Sequence, residues 1–359
     1  MRLNYYASNN FEIILKNQEI KIMSGPNYCT LFDHYYLSRG LALYESLCKV
    51  HDEFYLYIVA FDDYSRDFLL KMKLDRAVII GLDEFEDEEL LKVKPTRTKA
   101  EYCFTCTPSV IKYTIEKYNL PSCTYLDADI YFYSTPLPVF KELSSFPVGL
   151  TPHNYSPSYD MSKDSGKYCV QFVYFKDTQD GMVPLNWWRN ECIKWCYARV
   201  EDGKYGDQKY LDSFPKLFEN VHDITHPGIG VAPWNIRSFN FISRDNKIII
   251  RNNMIEDVVI FYHYQHLKVD FRKKVIRLGK WYDFSDDVIE LFYKPYIERL
   301  IYFENIIRNS NFKILDFKLI KDNRFQLFFF FTVQKLFSGN RLVRTLYNKV
   351  NQWRSTGKS

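Results

Sequence analysis

Two aspartates separated by one alanine, Asp127-Ala-Asp129, are the residues of this chain best suited to chemistry. They close the run Ser122-Cys-Thr-Tyr-Leu126, whose aromatic and β-branched residues read as a buried strand. Alternation along a strand sends both carboxylates to one side. Two like charges in one cavity repel each other. A divalent cation removes that repulsion and leaves coordination positions for other oxygens, those of phosphates above all. The small Ala128 lets a flat group lie close to the backbone. A second apolar run, Val258 to Tyr262, ends at His263-Tyr-Gln-His266. Its two histidines face opposite sides of a strand, so at most one reaches the acids. An imidazole beside two carboxylates suits manganese better than calcium, with magnesium as the alternative ion.

Other segments offer partners for a phosphorylated ligand. Lys92-Val-Lys-Pro-Thr-Arg-Thr-Lys99 brings four cations ahead of a helix. Arg97 and Lys99 suit a nucleoside diphosphate there, and a solvated surface run is the alternative. Asp207-Gln208 opens a helix after Gly203 and Gly206, so Asp207 is either a helix cap or a functional acid. The Gly/Pro-rich segment from His226 ends in Trp234 and Asn235, an indole and an amide suited to sugar hydroxyls. Thr151-Pro-His153 opens from a short strand, and His153 joins the donor-side candidates. The polar stretch from Tyr155 to Tyr168 reads as a mobile loop able to cover the site.

The elements that position these residues follow a strand–helix rhythm. Tyr28–Phe32, Phe54–Phe61 and Ala77–Ile80 are apolar runs, with helices expected over 37–47 and 65–74. This predicts an α/β domain with a mostly parallel central sheet flanked by helices. Ligands of such sheets bind beyond the carboxyl ends of strands, where Asp33 and the acid pair both fall. Gly40, inside the first helix, is expected to permit close packing on the sheet. The aromatics Trp187, Trp188, Trp195 and Tyr197 recur at helical spacing and are assigned to core.

At 359 residues the chain has room for one large domain or two small ones, and 47% apolar residues suffice for a sizeable core. The net charge of +4 gives no reason to expect nucleic acid. Its distribution is uneven: residues 307–359 carry net +9 and the remainder −5. The basic, aromatic segment Phe325–Trp353 suits an anionic membrane surface, with packing against the acidic body as the alternative. No signal-peptide pattern opens the sequence, and no apolar run reaches the ~20 residues that span a bilayer. A cytoplasmic protein docked on the inner face of the cell membrane is therefore expected, with eight free thiols.

Four motifs in order resemble the signature positions of GT-A fold, nucleotide-sugar-dependent glycosyltransferases, family 8 and related bacterial sugar transferases in particular. They are Tyr28-Cys-Thr-Leu-Phe-Asp33 with Tyr36, Tyr125-Leu-Asp-Ala-Asp129, Gly206-Asp-Gln208 and Phe261-Tyr-His263. The resemblance spans residues 24–270. It implies that Asp127, Asp129 and His263 hold Mn²⁺ on the donor diphosphate. It implies that Asp33 binds the base and Tyr36 stacks on it, with Thr30, Leu31 and Phe32 counted among the same donor contacts. Asp207 and Gln208 then lie beside the anomeric carbon of a retaining enzyme; in an inverting one Asp207 would be the base toward the acceptor. Two positions depart from the pattern. Lys209 replaces the second acid of an Asp-Gln-Asp motif, and the Lys-Pro-Trp ending after the metal histidine is missing, with Lys268 nearby. The expected organisation is an N-terminal extension over 1–23, a transferase domain over 24–288 and a helical basic tail over 289–359. The expected acceptor is a saccharide or lipid-linked saccharide in bacterial surface glycan synthesis, and the expected donor carrier is UDP. Two other readings use the same residues. One is a haloacid dehalogenase-type sugar phosphatase, against which Tyr131 stands where that family has a small polar residue. The other is a non-catalytic nucleotide-sugar binding module.

Overall fold

The computed structural model describes residues 25–273, 275–308 and the strand Lys318–Ile320. The extension over 1–23 and the tail beyond Arg308 except Lys318–Ile320, with the membrane docking expected of it, lie outside the described residues. Among the described residues no helix is long and apolar enough to cross a membrane.

Strand β1 (Asn27–Phe32) is buried along its whole length, as its apolar sequence requires. It pairs in parallel with β2 (Tyr55–Ala60) on one side and β4 (Ser122–Leu126) on the other, and β2 pairs in parallel with β3 (Ala77–Ile80). A short strand β5 (Ile130–Phe132) follows the acid pair and leaves this sheet. β6 (Val148–Pro152), β7 (Tyr168–Lys176) and β8 (Val221–Asp223) complete seven strands in the order β3-β2-β1-β4-β7-β6-β8. β7 runs against both β4 and β6 and is the antiparallel member of an otherwise parallel sheet.

Helices cover both faces. α1 (Leu37–Val50) packs on the face where Phe32, Leu56 and Phe172 point. A Cβ on Gly40 would lie 2.2 Å from the Phe32 ring, so the absence of a side chain lets α1 lie directly on β1, as expected. α2 (Asp63–Met72) links β2 to β3, capped by Asp62. α3 (Lys99–Tyr118) and α4 (Gln179–Lys194) cover the opposite face, where Cys29, Val59 and Phe175 point. α3 runs on through Pro108, and α4 ends before Trp195 and Tyr197. α4 carries Arg189, which is buried and donates to Glu89 Oε2 at 2.6 Å and to Ser109 Oγ at 3.1 Å.

A hairpin of β9 (Asn240–Arg244) and β10 (Lys247–Arg251) turns through Asp245 and Asn246, both left-handed, and β11 (Glu256–Val258) pairs with β10. β12 (Phe261–His263) then pairs antiparallel with β5, His263 opposite Ile130. Beyond the short hairpin Lys268–Asp270 and Val275–Arg277, a π-helical turn (Ile289–Tyr293) leads into α5 (Lys294–Arg308). Phe292, Tyr293, Tyr296 and Leu300 from this last stretch are fully buried in the same core as α1, and Arg299 pairs with Glu45 at 2.6 Å. A boundary at residue 288 therefore falls inside one continuous core.

Candidate active site

The carboxyl ends of β1 and β4, the end of β12 and one face of β7 converge on the acid pair, whose carboxylates stay partly exposed and mark the opening. Asp127 and Asp129 follow β4 in a tight turn: the Ile130 amide donates to the Asp127 carbonyl at 3.4 Å, and the Asp127 amide donates to the Gln171 carbonyl at 3.2 Å. Ala128 is buried between them. β12 brings His263 to the same place. Its Nε2 lies 3.2 Å from Asp129 Oδ1 and 3.8 Å from Asp127 Oδ2. Its Nδ1 lies 2.8 Å from Gln171 Oε1. An amide oxygen can only accept, so Nδ1 carries the proton and Nε2 faces the acids.

Electrostatics in this pocket is strained by burial. Burial pushes the Asp127 carboxyl up to about 6, Asp129 adds to the rise, and His263 only partly counters it. Burial also raises Asp129, but His263 and the nearby Arg39 guanidinium outweigh it and hold that carboxyl below its ordinary range. His263 is driven the other way: burial would lower it, and the two aspartates raise it well above the usual imidazole value. The Tyr36 hydroxyl is pushed up to about 12, chiefly by the Asp129 charge. Two carboxylates and an outward-facing imidazole nitrogen form a donor set that fits a divalent cation, and such an ion would relieve the repulsion that raises Asp127. The Cys169 thiol is also within 4.8 Å of Asp127 and His263 donor atoms.

The other anticipated residues divide into three groups. Asp33 and Lys99 meet at 2.6 Å beside the opening, with Asp62 3.7 Å from the same ammonium. The Tyr36 ring is partly exposed there and lies 4.6 Å from the Arg39 guanidinium carbon. Asp207 is buried close enough to Asp127 to feel its charge; its carboxyl is pushed up to about 7, mainly by burial, against a hydrogen bond from Thr107. Asp207 Oδ2 has no hydrogen-bond partner among the described residues.

A second group is committed elsewhere. Arg97 donates to the Ile193 carbonyl at 3.1 Å and to the Tyr197 hydroxyl, with its plane 4.1 Å from the Tyr197 ring. It braces the end of α4 instead of facing the acids. Gln208 Nε2 donates to the Ser165 carbonyl at 2.6 Å, and Lys209 Nζ to the Ser162 carbonyl at 2.8 Å. The Trp234 indole and the Asn235 amide both donate to the His153 carbonyl, at 2.8 and 3.0 Å. Asn235 also donates to the Gly230 carbonyl at 2.9 Å and accepts from the Ala232 amide at 3.0 Å. Hydroxyl recognition by Trp234 and Asn235 is therefore corrected: their polar atoms are spent on backbone. Trp234 instead sets its ring edge-on to His263, 5.3 Å between centroids. His153 is buried, stacks on Tyr155 at 4.5 Å and is driven down to about 3 by burial, so it stays neutral. The third group is β1 itself. Thr30, Leu31 and Phe32 are buried, with the Leu31 side chain in the core under α3 and that of Phe32 in the core under α1.

The segment 155–168 is built, not open coil. The Ser156 amide donates to the Trp234 carbonyl at 2.9 Å, the Asp283 amide to the Tyr159 hydroxyl at 2.8 Å, and the Lys167 amide to Asp212 Oδ1 at 2.7 Å. These bonds correct the expectation of a mobile loop.

Three residues at the opening were not anticipated: Gln171, Cys169 and Arg39. Gln171 had a signal, since it is the one amide in the apolar run of β7, and a buried amide needs a partner. Gln171→Leu is expected to weaken Mn²⁺ affinity about tenfold or more by freeing the His263 ring, as losing a ligand's outer hydrogen bond commonly does. Titration of Mn²⁺ by electron paramagnetic resonance measures it, and an unchanged affinity would refute the role. Gly228 supports the same strand from below. Its carbonyl accepts from the Ile260 amide at 2.8 Å, and a Cβ there would lie 1.9 Å from the Val258 carbonyl oxygen. Gly228→Ala should cost about 1–3 kcal/mol by forcing β12 aside. It should lower the melting temperature and Mn²⁺ affinity together.

The mostly parallel seven-stranded sheet, with the acid pair at the carboxyl end of β4 and His263 beside it, has the α/β architecture expected from the resemblance to GT-A glycosyltransferases. The chain belongs to the family of the uncharacterized protein YfnF from Bacillus subtilis (strain 168). It is 31% identical to YfnF over 250 residues, which cover 67% of this chain and 82% of YfnF. YfnD of the same strain is 29% identical over 283 residues, 77% of this chain and 89% of YfnD. No family model matches. Among solved structures, the galactosyltransferase LgtC with donor and acceptor sugar analogues covers 77% of this chain and 95% of its own at 11% identity, with a TM-score of 0.47. Mouse xyloside xylosyltransferase 1 covers 67% and 98% at 13% identity and a TM-score of 0.42. The glycosyltransferase GlyE of Streptococcus pneumoniae TIGR4 covers 79% and 64% at 12% identity and a TM-score of 0.42. Such likenesses are distant and carry no functional conclusion.

Proposed function

We propose that this protein transfers a sugar from a nucleoside diphosphate donor, with UDP as the carrier, to a saccharide or lipid-linked acceptor in bacterial surface glycan synthesis. One observation carries the reading: His263 Nε2 faces Asp129 and Asp127 at 3.2 and 3.8 Å at the sheet's opening, held there by Gln171. Asp127, Asp129 and His263 would hold Mn²⁺, which supplies a Lewis acid at the departing diphosphate. Asp33, with Lys99 beside it, and the partly exposed Tyr36 ring frame the base. Gln208 is tied to Ser165, so Asp207 is the member of that pair left to meet the anomeric centre. Its carboxyl, poised at about 7, can carry charge toward an oxocarbenium-like centre. Retention of configuration is part of the proposal.

A thermal-shift panel of nucleotide sugars with and without Mn²⁺ tests it. A ligand at a hundred times its dissociation constant stabilises the native state by about 2.7 kcal/mol. The expected result is one nucleotide sugar that raises the melting temperature only with Mn²⁺, followed by slow Mn²⁺-dependent hydrolysis. A panel in which nothing binds refutes the reading. Binding without hydrolysis or transfer favours a non-catalytic module, and an inverted product would recast Asp207 as the base toward the acceptor.

A further inference from the structure

Arg39 lies in the first turn of α1 and is buried. The other buried arginine among the described residues, Arg189, is neutralised by Glu89 and Asp87. Arg39 has no such partner: among the described residues no carboxylate oxygen lies within 4 Å of it. It is nevertheless fixed. One guanidinium nitrogen donates to the Leu267 carbonyl at 3.0 Å, four residues beyond His263, and the guanidinium carbon sits 4.6 Å from the Tyr36 ring centroid. Its charge reaches Asp129, and the nearer claim on that carboxylate belongs to His263 at 3.2 Å.

A buried cation with no ion pair in contact is costly unless an anion arrives with the ligand. A second orphan lies in the same field. The Tyr296 hydroxyl is fully buried without a hydrogen-bond partner among the described residues, and it senses the charges of both Arg39 and Asp129. The planar guanidinium matches two phosphate oxygens at once.

We infer that Arg39, assisted by the Tyr296 hydroxyl, binds the diphosphate of the donor beside the Tyr36 ring. The inference rests on the proposed nucleoside diphosphate donor. It makes Arg39 a substrate-binding cation that no motif in the sequence singles out.

The test titrates UDP into the full-length chain with Mn²⁺, alongside Mn²⁺ alone. Arg39→Met should weaken UDP about tenfold or more, Arg39→Lys less, and Tyr296→Phe a few-fold, as for a hydrogen bond to a charged group. Affinity for Mn²⁺ alone should not fall in any of the three. Unchanged UDP affinity in Arg39→Met overturns the inference and leaves the proposed function standing. A parallel fall in UDP affinity, Mn²⁺ affinity and melting temperature in both Arg39 variants makes the role structural and also overturns it. If the wild-type chain binds neither UDP nor GDP, CDP or ADP, the proposed function fails first and this inference with it.

Discussion

Asp129→Ala is expected to lower sugar transfer at least about a hundredfold and to abolish most Mn²⁺ affinity. Asp129 is the acid that His263 meets at 3.2 Å and the one whose carboxyl is held below the ordinary range, so it is fully charged at neutral pH. Asp127 is already pushed up to about 6. Without Asp129 the opening keeps one weakened carboxylate and an imidazole, too little negative charge to hold a divalent ion. Electrostatic groups aimed at developing charge are worth about 3–4 kcal/mol each, which sets the size of the loss. Asp129→Asn preserves volume and separates charge from packing. Its melting temperature should fall only modestly, since a carboxyl held below its ordinary range contributes stability at neutral pH, while its transfer rate follows the alanine variant. Undiminished Mn²⁺-dependent transfer in either variant would sink the proposed cation site.

Asp207→Asn should make the protein more stable at neutral pH and less active. The folded chain holds the Asp207 carboxyl at about 7, against a reference value of 3.8. Between those two values the unfolded chain has released the proton and the folded chain still binds it. Stability therefore falls as pH rises: the contribution is complete below about pH 4 and lost by about pH 7. The difference amounts to about 4 kcal/mol. Asparagine cannot ionise, so the variant escapes the penalty. The two proteins should melt together near pH 4, and the variant should melt several degrees higher at pH 8. Transfer should fall about a hundredfold if Asp207 serves the anomeric centre. Equal melting temperatures at both pH values would show that Asp207 is solvated and titrates normally. That pairing of gained stability with lost function is the usual mark of an acid retained for chemistry.

The parts of the fold visible in the sequence are those written in local pattern. β1, β2 and β3 are continuous apolar runs, and Gly40 announced the close approach of α1. The β9–β10 hairpin escaped, although Asp245-Asn246 between short runs is a turn signal for two left-handed residues. At the site, the acids and His263 were legible because a strand end supplies their spacing. Trp234 and Asn235 misled because residue type says what a side chain could bond, not what it does. Their partner is the carbonyl of His153, about eighty residues earlier in the chain. Arg97 and Lys99 are two residues apart, yet one braces Tyr197 and the other meets Asp33, because a helix begins between them. Polar composition likewise marked 155–168 as a loop and could not reveal the long-range bonds that pin it.

The carbonyl of Phe292, in the π-helical turn, accepts the hydroxyls of Tyr264 at 3.0 Å and Tyr133 at 3.3 Å. The Tyr264 amide in turn donates to the Asp129 carbonyl at 2.9 Å. Anything that tightens the backbone at Asp129 thus tightens, two bonds away, the π-helical turn Ile289–Tyr293, to which no ligand contact is assigned. Amide deuterium uptake along 289–293 should slow when the opening is filled, and that turn becomes a remote reporter of occupancy.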